Sequence, residues 1–123
     1  MPVMPSRRIF PSAAYMTPAD EEPVRSVVVE TPEAVVVAWY VQPGQRIPAH
    51  IHPAGQDTWT VLSGQGLYQT NAEGDTRPLK PGDIAIAGPG SVHGVYNHGN
   101  EVLQFISVVT PAAAGYERVS DPA

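Results

Sequence analysis

The sequence predicts a single all-β domain, a sandwich or antiparallel barrel, on three observations. Short runs of β-branched and aromatic residues recur along the chain. Gly, Pro, Asn and Asp break these runs at intervals of roughly 8–12 residues, the spacing of an all-β fold. No stretch before Pro111 repeats its apolar residues at the helical period.

The elements follow in order. Residues 1–23 carry prolines at 2, 5, 11, 18 and 23 and keep no sustained period. Proline lacks the N–H that a helix or central strand requires, so this segment is expected to be an arm outside the core. Val24–Glu30 and Ala34–Gln42 read as strands around a Thr31-Pro-Glu turn, and Gln42-Pro-Gly-Gln turns the chain into a strand bearing His50 and His52. Asp57–Ser63 forms the next strand. Gln65–Thr70 and Thr76–Lys80 flank a loop containing Gly74, as in a hairpin. Asp83–Ala87 alternates large and small residues, and Val92–Tyr96 and Glu101–Val109 complete the set. The barrel is thus expected over residues 24–110, followed by a tail over 111–123 in which 112–116 form at most one turn.

At 123 residues the chain is long enough for one core. Its net charge is −5 with only 7 Lys and Arg and no basic cluster, which argues against nucleic acid or an anionic membrane as partner. The absence of cysteine excludes disulfides, thiol catalysis and thiolate metal ligands together. Arg7 and Arg8 are followed by no apolar run, so a secretory signal is not expected, and a cytoplasmic location is. Val27–Val29 and Val35–Val37 put β-branched residues on both faces of their strands, so a homodimer is expected, with the outer face covered by the partner or by the N-terminal arm.

Chemistry concentrates between Gly44 and Gly64. His50 and His52 are two apart, so an extended strand points both imidazoles to one face. Asp57 returns on the next strand, and His93 stands in Gly-Pro-Gly-Ser-Val-His. Two imidazoles with a carboxylate form a chelate for one divalent metal ion, and His93 is a candidate fourth ligand. Gln56 is the alternative to Asp57. Alternation favours Asp57, because an inward Asp57 also turns Trp59 and Val61 inward, whereas an inward Gln56 would expel Trp59. Trp59, Val61, Ile84 and Ile86 are the expected pocket wall. His98 lies in a turn and reads as a solvated loop residue.

These residues resemble the two motifs of the cupins. Gly44, His50, His52, Asp57 and Gly64 stand at the intervals of the first motif, with Asp in place of Glu. Gly82, Gly90, His93 and Asn97 stand at the intervals of the second, with its proline displaced by one position to Pro89. The resemblance implies a jelly-roll β-barrel holding a metal (Fe, Mn, Ni or Zn) at its mouth. It carries the ligand roles to His50, His52, His93 and Asp57, and implies a small-molecule ligand. Dioxygenases, isomerases and decarboxylases of small oxygenated molecules are similar in arrangement. Oxygen-dependent cleavage is the leading expectation, and a non-catalytic binding or sensor module is the alternative class.

Overall fold

A computed structural model of the protein describes residues 6–120. The expectations for residues 1–5 of the arm and 121–123 of the tail lie outside the described residues. Ten strands, β1 (Ser26–Glu30), β2 (Val35–Val41), β3 (Arg46–Ile51), β4 (Gln56–Ser63), β5 (Gly66–Gln69), β6 (Thr76–Leu79), β7 (Ile84–Ala87), β8 (His93–Tyr96), β9 (Leu103–Thr110) and β10 (Glu117–Arg118), form two five-stranded sheets. One runs β1-β2-β9-β4-β7 and the other β10-β3-β8-β5-β6, with every pairing antiparallel. The fold is a jelly-roll barrel, and among the described residues no helix is long and apolar enough to cross a membrane.

Period-two alternation builds the interior. On β9, Leu103, Phe105, Ser107 and Val109 face inward while their neighbours are half-buried on the other face. On β4, Asp57, Trp59 and Val61 are buried and Gln56, Thr60 and Leu62 are exposed. Trp59 stacks on Phe105 with ring centroids 4.2 Å apart, and Val61, Tyr68, Leu79 and Val95 close the core around them.

One β-bulge and one glycine shape the end that carries the histidines, and a second bulge lies at the far end of β4. The β3–β8 register shifts between Ile47 and His50, which brings His50 directly opposite His93. Gly94 lies within β8. A Cβ there would sit 2.7 Å from the Ile47 carbonyl, so only glycine lets the bulged strand approach. The β4–β9 register shifts between Val61 and Ser63, and Gly64 ends the strand at φ +80°.

The flanking segments are docked. The buried Gln45 amide donates to the carbonyls of Ala19 (2.7 Å) and Glu21 (2.6 Å), fixing the arm, whose Ser12–Tyr15 form a short 3-10 turn. After β9 the chain turns back, Ala54 N–H donates to the Ala114 carbonyl at 2.8 Å, and β10 adds to the edge of β3. Asn97 is fully buried, and its amide donates to the carbonyls of Val41 and Glu101. It is a clamp between turns and not part of the chemistry.

Candidate metal centre

Four acceptor groups meet at one end of the barrel. His50 near the end of β3 and His52 just beyond it lie with ring centroids 5.1 Å apart, and His93 at the start of β8 is 4.1 Å from His50. Asp57 arrives from β4 in the other sheet. One potential ligand atom from each of the four lies within 4.8 Å of the others.

The hydrogen bonds behind these side chains determine what they offer. Each imidazole meets a backbone carbonyl at Nδ1: His50 with Pro48 (2.8 Å), His52 with Gly115 (2.7 Å) and His93 with Ser91 (3.0 Å). A carbonyl only accepts, so Nδ1 carries the proton and the lone pair falls on Nε2. Yet Nε2 of His52 and of His93 lie 3.3 Å and 3.0 Å from the same Asp57 oxygen, Oδ2. Lone pairs facing a carboxylate repel unless a cation stands among them, either added protons or a metal ion. Three imidazoles and one carboxylate fit a divalent first-row metal.

Ser107 completes the set from β9. Its hydroxyl donates to Asp57 Oδ1 at 2.5 Å, which fixes the carboxylate and leaves Oδ2 toward the histidines. Outer partners of this kind typically contribute about 10–100-fold to metal affinity. Ser107→Ala is therefore expected to weaken Zn(II) binding by about tenfold while leaving the fold intact, measured by competition with a chromophoric chelator. Unchanged affinity would show that the β4 backbone alone orients Asp57.

The electrostatics follow from burial against hydrogen bonding. Burial and the neighbouring His93 push His50 down to about 4. Burial also pulls on His52, but the bonds to Asp57 and the Gly115 carbonyl outweigh it and hold His52 above its ordinary value. For Asp57, burial is outweighed by His52 and His93, which donate to it once they carry a proton at Nε2 as well, and by the Ser107 hydroxyl, so its carboxyl lies well below the usual carboxylate range. Between pH 6.5 and about 4, unfolded chains protonate His50 and the native protein does not. Stability of the metal-free protein should therefore fall as pH drops through that window, by up to about 3 kcal/mol from His50. His52 works oppositely, because its native form holds a proton more tightly, and offsets part of the loss. Urea midpoints at pH 7 and pH 4.5 check this, and in His50→Gln the fall should be smaller.

A cavity of about 240 Å³ opens from the cluster between the sheets. It is smaller than the usual ligand pocket of about 300–1,000 Å³. Val37, Trp39, Trp59 and Val109 form apolar walls, and the exposed Glu22, Arg25 and Tyr116 line its outer part. The Tyr116 ring lies 5.0 Å from that of His50 and 6.2 Å from that of His52.

His50, His52, Asp57 and His93 are thus gathered, and Trp59 lines the cavity at 1% exposure. Three expectations are corrected. Gln56 is exposed on the outer face of β4, away from the cluster. Ile84 and Ile86 are 69% and 62% exposed, not pocket wall. They pair with Thr60 and Thr58, so they share the outward face, while Ala85 and Ala87 pair with Trp59 and Asp57. Ala85 packs against the core and Ala87 is buried. Val61 does point inward, but it packs in the core and does not reach the cavity wall. His98 is exposed.

Sequence reasoning missed Ser107, Gly115, Tyr116 and Arg25. Ser107 carried a signal, being the lone polar residue in an inward row of Leu103, Phe105 and Val109. The Gly115 carbonyl carried none, because any residue has one.

The family model described as "Cupin domain" matches residues 37–109. Among solved structures, an uncharacterized conserved protein with a double-stranded beta-helix domain from Klebsiella pneumoniae is 50% identical. It matches with a TM-score of 0.91 over 94% of this chain and 100% of that one. The TT1209 protein of Thermus thermophilus is 21% identical with a TM-score of 0.77 over 84% of this chain and 96% of that one, a likeness of fold. An "Oxalate-binding protein" of Thermotoga maritima is 31% identical over 67 residues, 54% of each chain, so the match spans about half the length of that curated relative.

Proposed function

The chain belongs to the cupin domain family, and from that premise we propose that it binds one divalent metal ion through His50, His52, Asp57 and His93 and acts on a small oxygenated organic molecule. The observation that carries this reading is the convergence of four acceptors with each imidazole Nδ1 already committed to a carbonyl. Such a cluster has lone pairs and negative charge to offer and nothing of its own to neutralise them. Bound there, Fe(II), Mn(II), Ni(II) or Zn(II) would act as a Lewis acid on a carbonyl, enolate or carboxylate oxygen, with oxygen-dependent cleavage the first reaction to test.

The chain's own residues supply the surroundings. Trp39, Trp59, Val37 and Val109 keep water from the substrate and strengthen its electrostatic attraction to the site. Ser107 holds Asp57 ionised and oriented. With neutral imidazoles and one carboxylate, the loaded site carries about +1, which favours an anionic substrate.

Binding without turnover is the second reading. The cavity lining offers no buried proton-transfer group beyond the cluster and Ser107, and a relative is named for binding oxalate, a small dicarboxylate. Metal analysis of protein purified without added metal comes first. Oxygen consumption and product analysis follow for each metal form across diketones, catechols and flavonols. Tight binding with no product in any form would select the second reading, and absence of bound metal in all forms would end the first.

We also propose a homodimer. Strand β7 lies at a sheet edge with Ile84 and Ile86 exposed, a surface suited to a second copy. Sedimentation velocity at micromolar concentration tests it, and a monomer there would overturn it.

A further inference from the structure

Arg25 sits immediately before β1 and lines the outer part of the same cavity whose inner end is the His–Asp cluster. Among the described residues its guanidinium has no ion-pair or hydrogen-bond partner. The other charged residue on that outer wall, Glu22, is engaged elsewhere, ion-paired with Arg118 at 3.5 Å. Between Arg25 and the cluster the walls are apolar, from Val37, Trp39 and Val109.

We propose that Arg25 is a specificity-determining residue that pairs with an anionic group, a carboxylate, at the far end of the ligand. The ligand class is then bifunctional: an oxygen-donor group for the cluster, a small apolar body between the walls, and a carboxylate at the rim. A guanidinium presents a planar fork that takes both oxygens of a carboxylate, so the residue selects by geometry as well as by charge. Oxalate has no apolar body to place between these walls. This assignment rests on the metal-centre reading for the inner end of the ligand and on the cavity geometry for the outer one.

The molecule provides its own reporter, because its two tryptophans, Trp39 and Trp59, both line the cavity. Quenching of their fluorescence by 4-carboxybenzohydroxamate and by benzohydroxamate, on Zn(II)-loaded protein, compares two probes that differ only in the distal carboxylate. The charged probe is expected to bind about tenfold tighter, as for a partly desolvated charge-assisted pair. In Arg25→Gln that preference should vanish with benzohydroxamate affinity unchanged, and Arg25→Lys should keep part of it. Arg25 is exposed and unbonded, so neither substitution threatens folding. An equal preference in wild type and Arg25→Gln, or none in wild type, would overturn the proposal. If benzohydroxamate itself fails to bind, the metal-centre reading fails separately. The same comparison is then made on metal-free protein with 3-phenylpropanoate and 3-phenylpropanamide. An Arg25-dependent preference for the acid would support the assignment, and its absence would reject it.

Discussion

Protein carrying both His50→Ala and His52→Ala is expected to retain no stoichiometric metal after purification and reloading, while wild type holds one ion per chain. The two side chains supply half of the four-acceptor cluster. A lone pair removed from such a set is not replaced, because among the described residues no other His, Asp or Glu joins the group. Asp57→Ala should weaken binding nearly as far, since Oδ2 faces both His52 and His93. Gln56→Ala should leave it unchanged, its side chain being exposed on the opposite face. Elemental analysis of the four proteins after dialysis checks the series. Metal retained at wild-type stoichiometry in the double variant would refute the centre. The metal-free double variant should also fold, because neither imidazole belongs to the hydrophobic core cluster.

Gly64→Ala is expected to cost about 3–5 kcal/mol, or to prevent folding, whereas Gly44→Ala and Gly82→Ala should each cost about 1–2 kcal/mol. All three glycines have φ between +80° and +90°, so all three share the cost of a left-handed alanine. Only at Gly64 is there also a collision: a Cβ would sit 2.1 Å from the Val102 carbonyl and 2.7 Å from the Leu103 Cα. At Gly44 and Gly82 nothing lies within 4 Å. The difference between the variants therefore measures the close approach of β4 to the chain entering β9, separately from the dihedral strain. Urea unfolding of the three proteins resolves it. Similar losses at all three positions would mean that the Val102 turn yields freely.

Much of this was legible in the sequence wherever local chemistry decides. The β-branched runs and turn residues marked most of the strands to within a residue or two, and the alternation through Trp59 chose Asp57 over Gln56. The same rule misled at Ile84 and Ile86. Size and apolarity nominate the isoleucines for the inside, but on the inward face of β7 it is Ala85 and Ala87 that stand opposite Trp59 and Asp57. That depends on what the neighbouring strand has already filled, which no single strand reveals. The last part of the site was illegible for a different reason. A two-residue strand such as β10 has no period to detect, and the partner of His52 is a main-chain oxygen 63 residues away. Arg25 gave no signal, because one exposed arginine beside a strand looks like ordinary surface until the cavity wall is known.

The separation between His52 and that oxygen bears on how the protein is made. Synthesis proceeds from the N-terminus, and a domain acquires structure as its segments emerge. His50, His52 and Asp57 come first, and His93 follows well after them. The hydroxyl that steadies Asp57 and the carbonyl that orients His52 come later still, at positions 107 and 115. A nascent chain stalled before residue 107 already carries all four cluster residues, yet it lacks the groups that steady Asp57 and orient His52. Strand β9, central in its sheet between β2 and β4, is missing at that stage too. The full set of groups around the cluster is thus complete only with the closing strand and the turn that follows it.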